Sequence, residues 1–252
     1  ATLAALDDLC RDQIMSMKTT FAPGTYRRDV AVWRQRRLTI RGVGGQPELV
    51  ADGEDAEGKA IWVIRDGDFT VENIAFRGAR VPAGNGAGIR FEKGLLAVRH
   101  CRFEDNEMGL LTGNDPDSRL TIEDSEFAHA PRGPEHPLKH LLYVGHIARV
   151  DIRGSRFHDG YVAHLVKSRA RESDLRYNLV WDGPTGSASY EMDFPNGGVV
   201  TLIGNIVGQS AASACWARRG GAGRRAQCAR SLAHAWSAST STPSAPSART
   251  TA

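Results

Sequence analysis

The sequence predicts an all-β parallel β-helix, a solenoid of short stacked strands, and three observations carry that prediction. One eight-residue phrase keeps returning, clearest as Val150-Asp151-Ile152-Arg153-Gly154-Ser155-Arg156-Phe157 and again at 69–76, 96–103 and 120–127, with weaker copies at 173–180 and 200–207. The apolar residues that close the copies (Phe76, Phe103, Phe127, Phe157, Val180, Val207) fall 23 to 30 residues apart, a solenoid period. Within each copy apolar and polar residues alternate, as they do when successive side chains point to opposite faces of a strand. The residue two before each close is Ile74, Cys101, Ser125, Ser155, Asn178 or Asn205. In stacked rungs that column becomes an internal ladder whose amides bond along the axis.

The elements follow in order. Residues 1–18 pattern as an amphipathic helix with Leu3, Leu6, Leu9 and Ile14 on one side, so residues 1–20 are expected to cap the first rung and cover its sheet edge. Phe21-Ala22-Pro23-Gly24-Thr25-Tyr26 is a turn leading into the solenoid, expected over 21–210. Val30 to Trp33, Leu38 to Ile40 and Glu48 to Val50 are strands, the last two separated by the turn Gly44-Gly45-Gln46-Pro47. Residues 80–88 are a glycine-rich loop without the strand-then-helix setting of a phosphate cradle. Asn114-Asp115-Pro116-Asp117 has the hard oxygens of a calcium turn, although a plain Asp-Pro turn is the commoner use of such a run. Residues 128–140, with three Pro and three His, lengthen one rung into a loop placed to cover an end or wall a groove. Beyond residue 210 the pattern stops. Residues 211–252 are rich in Ala, Ser, Arg and Thr and are expected to be an irregular or disordered basic tail.

The rung endings Asn73-Ile74-Ala75-Phe76, Cys101 to Asn106 and Gly204-Asn205-Ile206-Val207 resemble those of the right-handed parallel β-helix of the pectin-lyase-like superfamily, over roughly residues 20–210. That resemblance implies the right-handed fold. It leaves function wide, because the superfamily holds lyases, hydrolases, epimerases and proteins without activity.

Composition agrees with one long core in a single domain. The chain has 252 residues, 41% of them hydrophobic, and 27 Gly to serve many tight turns. No apolar run is long enough to span a membrane. The net charge of +3 is unevenly spread, since residues 211–252 hold six Arg and neither Asp nor Glu. The remainder is mildly acidic, which gives no electrostatic case for nucleic acid. Cys10, Cys101, Cys215 and Cys228 lack metal-ligand spacing, and Cys101 falls in the internal column as a small buried residue.

The candidate site comes from stacking the strands that precede each main phrase, 87–91, 108–112, 141–145, 162–167 and 187–193. In register they bring His140, Tyr143 and His146 beside His164 and Lys167, and those beside Tyr190, Glu191 and Asp193. Three successive rungs thus present ionisable groups with tyrosines between them. Any single one of these side chains is as readily a solvated strand residue.

Leu165-Val166-Lys167-Ser168, followed by Asn178 and Gly204-Asn205, is locally similar to chondroitinase-B-like and alginate lyases. In that family the Lys removes the sugar C5 proton, an Arg on the next rung assists, and calcium held by acidic residues neutralises the uronate. Lys167 is the residue that matches. Residues 188–190 hold no Arg, and Gly160 and Val162 stand where the acidic ligands would be. The expected function is therefore polysaccharide lyase action on an acidic, uronate-containing polymer by β-elimination. Lys167 or His164 would be the base, Tyr190 the proton donor, and Arg169 or a calcium ion the neutraliser. His140, Tyr143, His146, Arg169, Glu191 and Asp193 would bind substrate. The residues fix no cofactor, and calcium is the candidate that the resemblance brings. Alternatives are a non-catalytic glycan-binding or structural β-helix, and a glycoside hydrolase or epimerase using Glu191 and Asp193, which are two apart on one strand. No Gly-x-Ser-x-Gly elbow supports a serine hydrolase. The protein is expected to be a monomer, secreted or periplasmic.

Overall fold

A computed structural model describes residues 17–132, 139–161 and 163–210. Every element in them is a strand, and the strands form three parallel sheets of eight, eight and seven that wind as a solenoid of about seven turns. Each turn of the chain contributes one strand to sheet A (for example Arg149–Arg153), one to sheet B (Arg156–His158) and one to sheet C (His164–Ser168). The expected β-helix is thus the fold. The expected capping helix lies outside the described residues except at its end, where Met17 and Lys18 belong to the strand Met17–Phe21, paired in register with Leu38 and Thr39. The first rung therefore starts earlier than the sequence pattern suggests. The tail beyond 210 also lies outside the described residues.

The recurring phrase works as its alternation demands. Inward residues of sheet A (Val71, Val98, Ile122, Ile152, Leu175) are buried, while outward ones pair across rungs, as in Arg41 with Glu72, Arg99 with Glu123 and Arg149 with Glu172. These exposed pairs are each worth no more than about 1 kcal/mol. In sheet B, Phe76, Phe103, Phe127 and Phe157 form one stack with ring centroids 5.1, 4.5 and 4.8 Å apart and planes within 12°. Trp62 closes its N-terminal end edge-on to Phe76.

The internal ladder is present. The Cys101 amide donates to Ser125 Oγ, the Ser125 amide to Ser155 Oγ, the Ser155 amide to Asn178 Oδ1 and the Asn178 amide to Asn205 Oδ1, at 2.9–3.1 Å. Asn178 Nδ2 also donates to the Ile152 carbonyl at 3.0 Å. These turn amides face the interior, where no water replaces a lost partner, so the column must carry an acceptor at each level. Burial pushes the Cys101 thiol up to about 12, which suits a small packing residue. Asn178→Ala leaves the Ser155 amide and the Ile152 carbonyl without these partners. It should cost roughly 1–3 kcal/mol for each group orphaned. Asn178→Ser, which keeps an acceptor as Ser155 does, should recover part of the loss in urea unfolding.

Sheet C departs from simple alternation. In the strand Ala60–Ile64, Ile61, Trp62 and Ile64 join the main core, whereas Ala60 and Val63 join a separate apolar cluster with Ala56, Ala87, Met108 and Leu111. Two consecutive residues therefore turn inward between outward positions three apart. Parallel register repeats this bend in every rung, giving two outward columns. One runs Ala60, Ala87, Met108; the other runs Val63, Arg90, Leu111, Tyr143, Lys167, Asp193.

Candidate functional site

The outer face of sheet C changes character along the solenoid. Its first rungs are apolar, and Val30, Val32 and Tyr143 pack against their cluster. The loop at 81–86 folds around the buried carboxylate of Glu107, whose Oε2 accepts from the amides of Val81 (3.1 Å) and Gly86 (2.8 Å). The amides that a phosphate cradle would offer are thus occupied by a carboxylate.

Next to this loop lies a groove of about 570 Å³, lined by residues 83–85, Arg90, Met108, Leu111, Thr112, Asn114, His140, Tyr143, His146 and Arg169. Four of the residues expected at the site, His140, Tyr143, His146 and Arg169, meet here. His146 is exposed, and its amide donates to Asn114 Oδ1 at 2.9 Å. The neighbouring Asp115 accepts from Ser118 Oγ at 2.6 Å. The Asn114–Asp117 run thus spends side-chain oxygens on local bonds, as a plain turn does. A depression of about 350 Å³ on sheet A is lined by Glu123, Asp151, Arg153, Asp174 and Arg176, charges largely paired with one another or with neighbours.

Arg169 is the distinctive group of the groove. Its guanidinium lies 5.9 Å from the centre of the Tyr143 ring, and Nε is buried without a hydrogen-bond partner. Among the described residues no carboxylate stands within ion-pair distance of it. His140 is buried beside it. Burial and the neighbouring His164 hold its pKa down to about 3, so the ring stays neutral. Its Nδ1 accepts the His164 amide at 3.1 Å, which puts the proton on Nε2. His140 is therefore a fixed neutral donor.

His164, Lys167, Tyr190 and Asp193 form a second group on the next two rungs. Asp193 Oδ2 lies 3.2 Å from both Lys167 Nζ and His164 Nε2, one carboxylate shared by two bases. The rings of His140, His164 and Tyr190 run along the face, 4.9 and 5.1 Å apart, and Lys167 Nζ is 5.8 Å from the Tyr143 centroid. Burial lowers the His164 pKa, with Lys167 adding to this and Asp193 opposing it. Its Nδ1 is buried without a partner.

Glu191 stands apart. His164 pairs with Tyr190 and Val166 with Met192, so Glu191 takes the level of Leu165, a core residue. The double-inward bend thus separates Glu191 from Asp193, although a two-residue spacing on a regular strand would put them on one face. Burial raises the Glu191 carboxyl to about 7, with the charge of Asp182 adding to the shift. The folded state binds this proton more tightly than the unfolded chain does. The associated stability is therefore complete below about pH 4.5 and lost as pH rises to about 7. Glu191→Gln should flatten the decline in melting temperature between pH 5 and pH 8. An unchanged pH profile would place the carboxylate in water.

Sequence reasoning missed Arg90, Met108 and Leu111. Arg90 was findable, because it precedes Leu111 and Tyr143 in a single register column. No family model, curated protein or solved structure matches the chain. The class of protein that stands is a parallel β-solenoid, a fold that fits carbohydrate-active or carbohydrate-binding proteins in general.

Proposed function

We propose that the sheet C groove binds an acidic, uronate-containing polysaccharide and that the adjoining residues cleave it by β-elimination, as in the pectin-lyase-like proteins that the rungs resemble. The observation that carries the proposal is Arg169, a guanidinium with no carboxylate partner among the described residues, near the Tyr143 ring in the wall of an open groove. A sugar carboxylate supplies the missing counter-charge, and tyrosine faces suit pyranose rings. Neutralising the uronate acidifies its C5 proton. His140 Nε2–H donates to the developing enolate, Lys167 removes the proton and Tyr190 protonates the leaving oxygen. A hydrolase would need two carboxylates flanking one bond, and Glu191 and Asp193 occupy opposite sides of their strand.

A second reading, a glycan-binding module without turnover, is favoured by the ion pair that engages Lys167 with Asp193. A panel of alginate, pectate and chondroitin, followed by absorbance of the unsaturated product with and without calcium, separates the two. Elimination gives chromophore that Arg169→Ala and Lys167→Ala both suppress. Binding without chromophore establishes the module. Reducing ends without chromophore indicate hydrolysis. Silence and no binding across the panel would overturn the glycan reading. Secretion to the periplasm or beyond and a monomeric state belong to the same proposal.

A further inference from the structure

Outside the groove, His129, His158 and Asp159 gather at the corner where sheet B ends and the chain turns toward sheet C. We infer that they form a binding site for a divalent first-row transition ion of the zinc type. One donor atom from each of the three lies within 4.8 Å of the others. Two imidazoles and one carboxylate are a donor set for such ions, whereas calcium and magnesium prefer oxygen alone.

The local structure builds this cluster from two successive rungs. His129 follows the strand Glu126–Ala128, and Asp159 follows Arg156–His158, both in the left-handed region (φ 54° and 51°). Parallel register sets Ala128 beside His158. The edge of one histidine ring meets the face of the other at 5.7 Å. Asp159 packs over Gly183 of the next rung, where a Cβ would lie 2.6 Å from Oδ1 and the positive φ of 78° also favours glycine.

His158 already has the arrangement of a metal-bound imidazole. Its Nε2 lies 2.9 Å from Glu126 Oε1, and its Nδ1 lies 2.6 Å from Asp159 Oδ2. Glu126 acts as the outer carboxylate that fixes ring orientation and tautomer, as carboxylates commonly do behind metal-ligating histidines. The ion replaces the proton between Nδ1 and Asp159, and the exposed His129 closes onto it, leaving further positions to water. Its place is also informative. His129 lies close to Pro131, whose carbonyl accepts from Lys139 Nζ at 3.2 Å, and the next residue, His140, lines the groove. The ion ties His129, and with it the Pro131–Lys139 contact, to the next rung. This inference is independent of what the groove binds.

The test is titration of the full chain with Co2+ as a spectroscopic zinc surrogate, together with zinc calorimetry. The wild type should take up one equivalent, with d–d bands of low-symmetry Co2+ and a raised melting temperature. His129→Ala, at an exposed position, and Asp159→Asn should each weaken that equivalent at least roughly tenfold, on the scale that ligand-shell changes produce. His100→Ala, at another corner, should leave it intact. Equal affinity in all four proteins, or no binding by the wild type, would overturn the site.

Discussion

Replacing Phe127 with Ala is expected to cost about 3–5 kcal/mol, the range for truncating a large aromatic in a packed core. Phe127 is fully buried and contacts a stacked ring on each side, Phe103 at 4.5 Å and Phe157 at 4.8 Å. Gly109 tightens the site further, since a Cβ there would lie 2.7 Å from the ring edge. The stack crosses rungs, so truncation opens a void between two levels of the solenoid and removes two aromatic contacts, each worth about 0.5–1.5 kcal/mol beyond burial. Each rung touches only its neighbours, so such contacts add to the sheet hydrogen bonds and the internal ladder in coupling one level to the next. Urea unfolding should therefore show a lower midpoint, and a reduced slope if the solenoid splits at this level into separately melting halves. Phe127→Leu should cost much less than Phe127→Ala. A loss below about 1 kcal/mol for Phe127→Ala would mean the stack collapses without strain, contrary to the rigid backbone around it.

The fold was legible because its determinants are periodic. A parallel in-register stack makes each core position a column, so Phe76 to Phe157 and Cys101 to Asn205 advertise themselves at constant offsets. The ladder even predicts its own hydrogen bonds. The site was legible only in part, for a physical reason: the strands of sheet C carry two inward residues in succession. Strict alternation would put His164 and Lys167, three apart, on opposite faces, and likewise Tyr190 and Asp193, while pairing Glu191 with Asp193; the bend instead brings the first four to one face and leaves Glu191 at the level of Leu165. Arg90, between the inward Ile89 and Phe91, follows alternation and points outward; its membership of the Tyr143 column, with Leu111 between them, emerges only when the rungs are counted in register. The His129–His158–Asp159 corner was missed because its members belong to two rungs and show no short-range ligand spacing.

Lys167→Ala is expected to lower turnover of a susceptible polyuronate by about 10²–10⁴-fold, the contribution of a positioned proton-transfer group. The structure makes this a clean test of chemistry. Lys167 lies on the outer column between Tyr143 and Asp193, away from the core stack, and its loss leaves Asp193 still paired with His164 at 3.2 Å. The variant should thus remain folded, with little change in melting temperature. Arg169→Ala should behave differently, because under the proposed function it holds the carboxylate in both ground and transition states: KM should rise along with any fall in kcat. Asp193→Asn separates the roles further. It removes the charge that engages Lys167 and His164 together, so the pH dependence of kcat should move while substrate affinity stays near that of the wild type. Were Lys167→Ala to retain full turnover while Arg169→Ala lost binding, the groove would stand as the glycan site and the base would have to be sought elsewhere along it, first at His164. The same three variants read by binding alone, on a substrate that is held but not cleaved, would show Arg169→Ala as the single large loss.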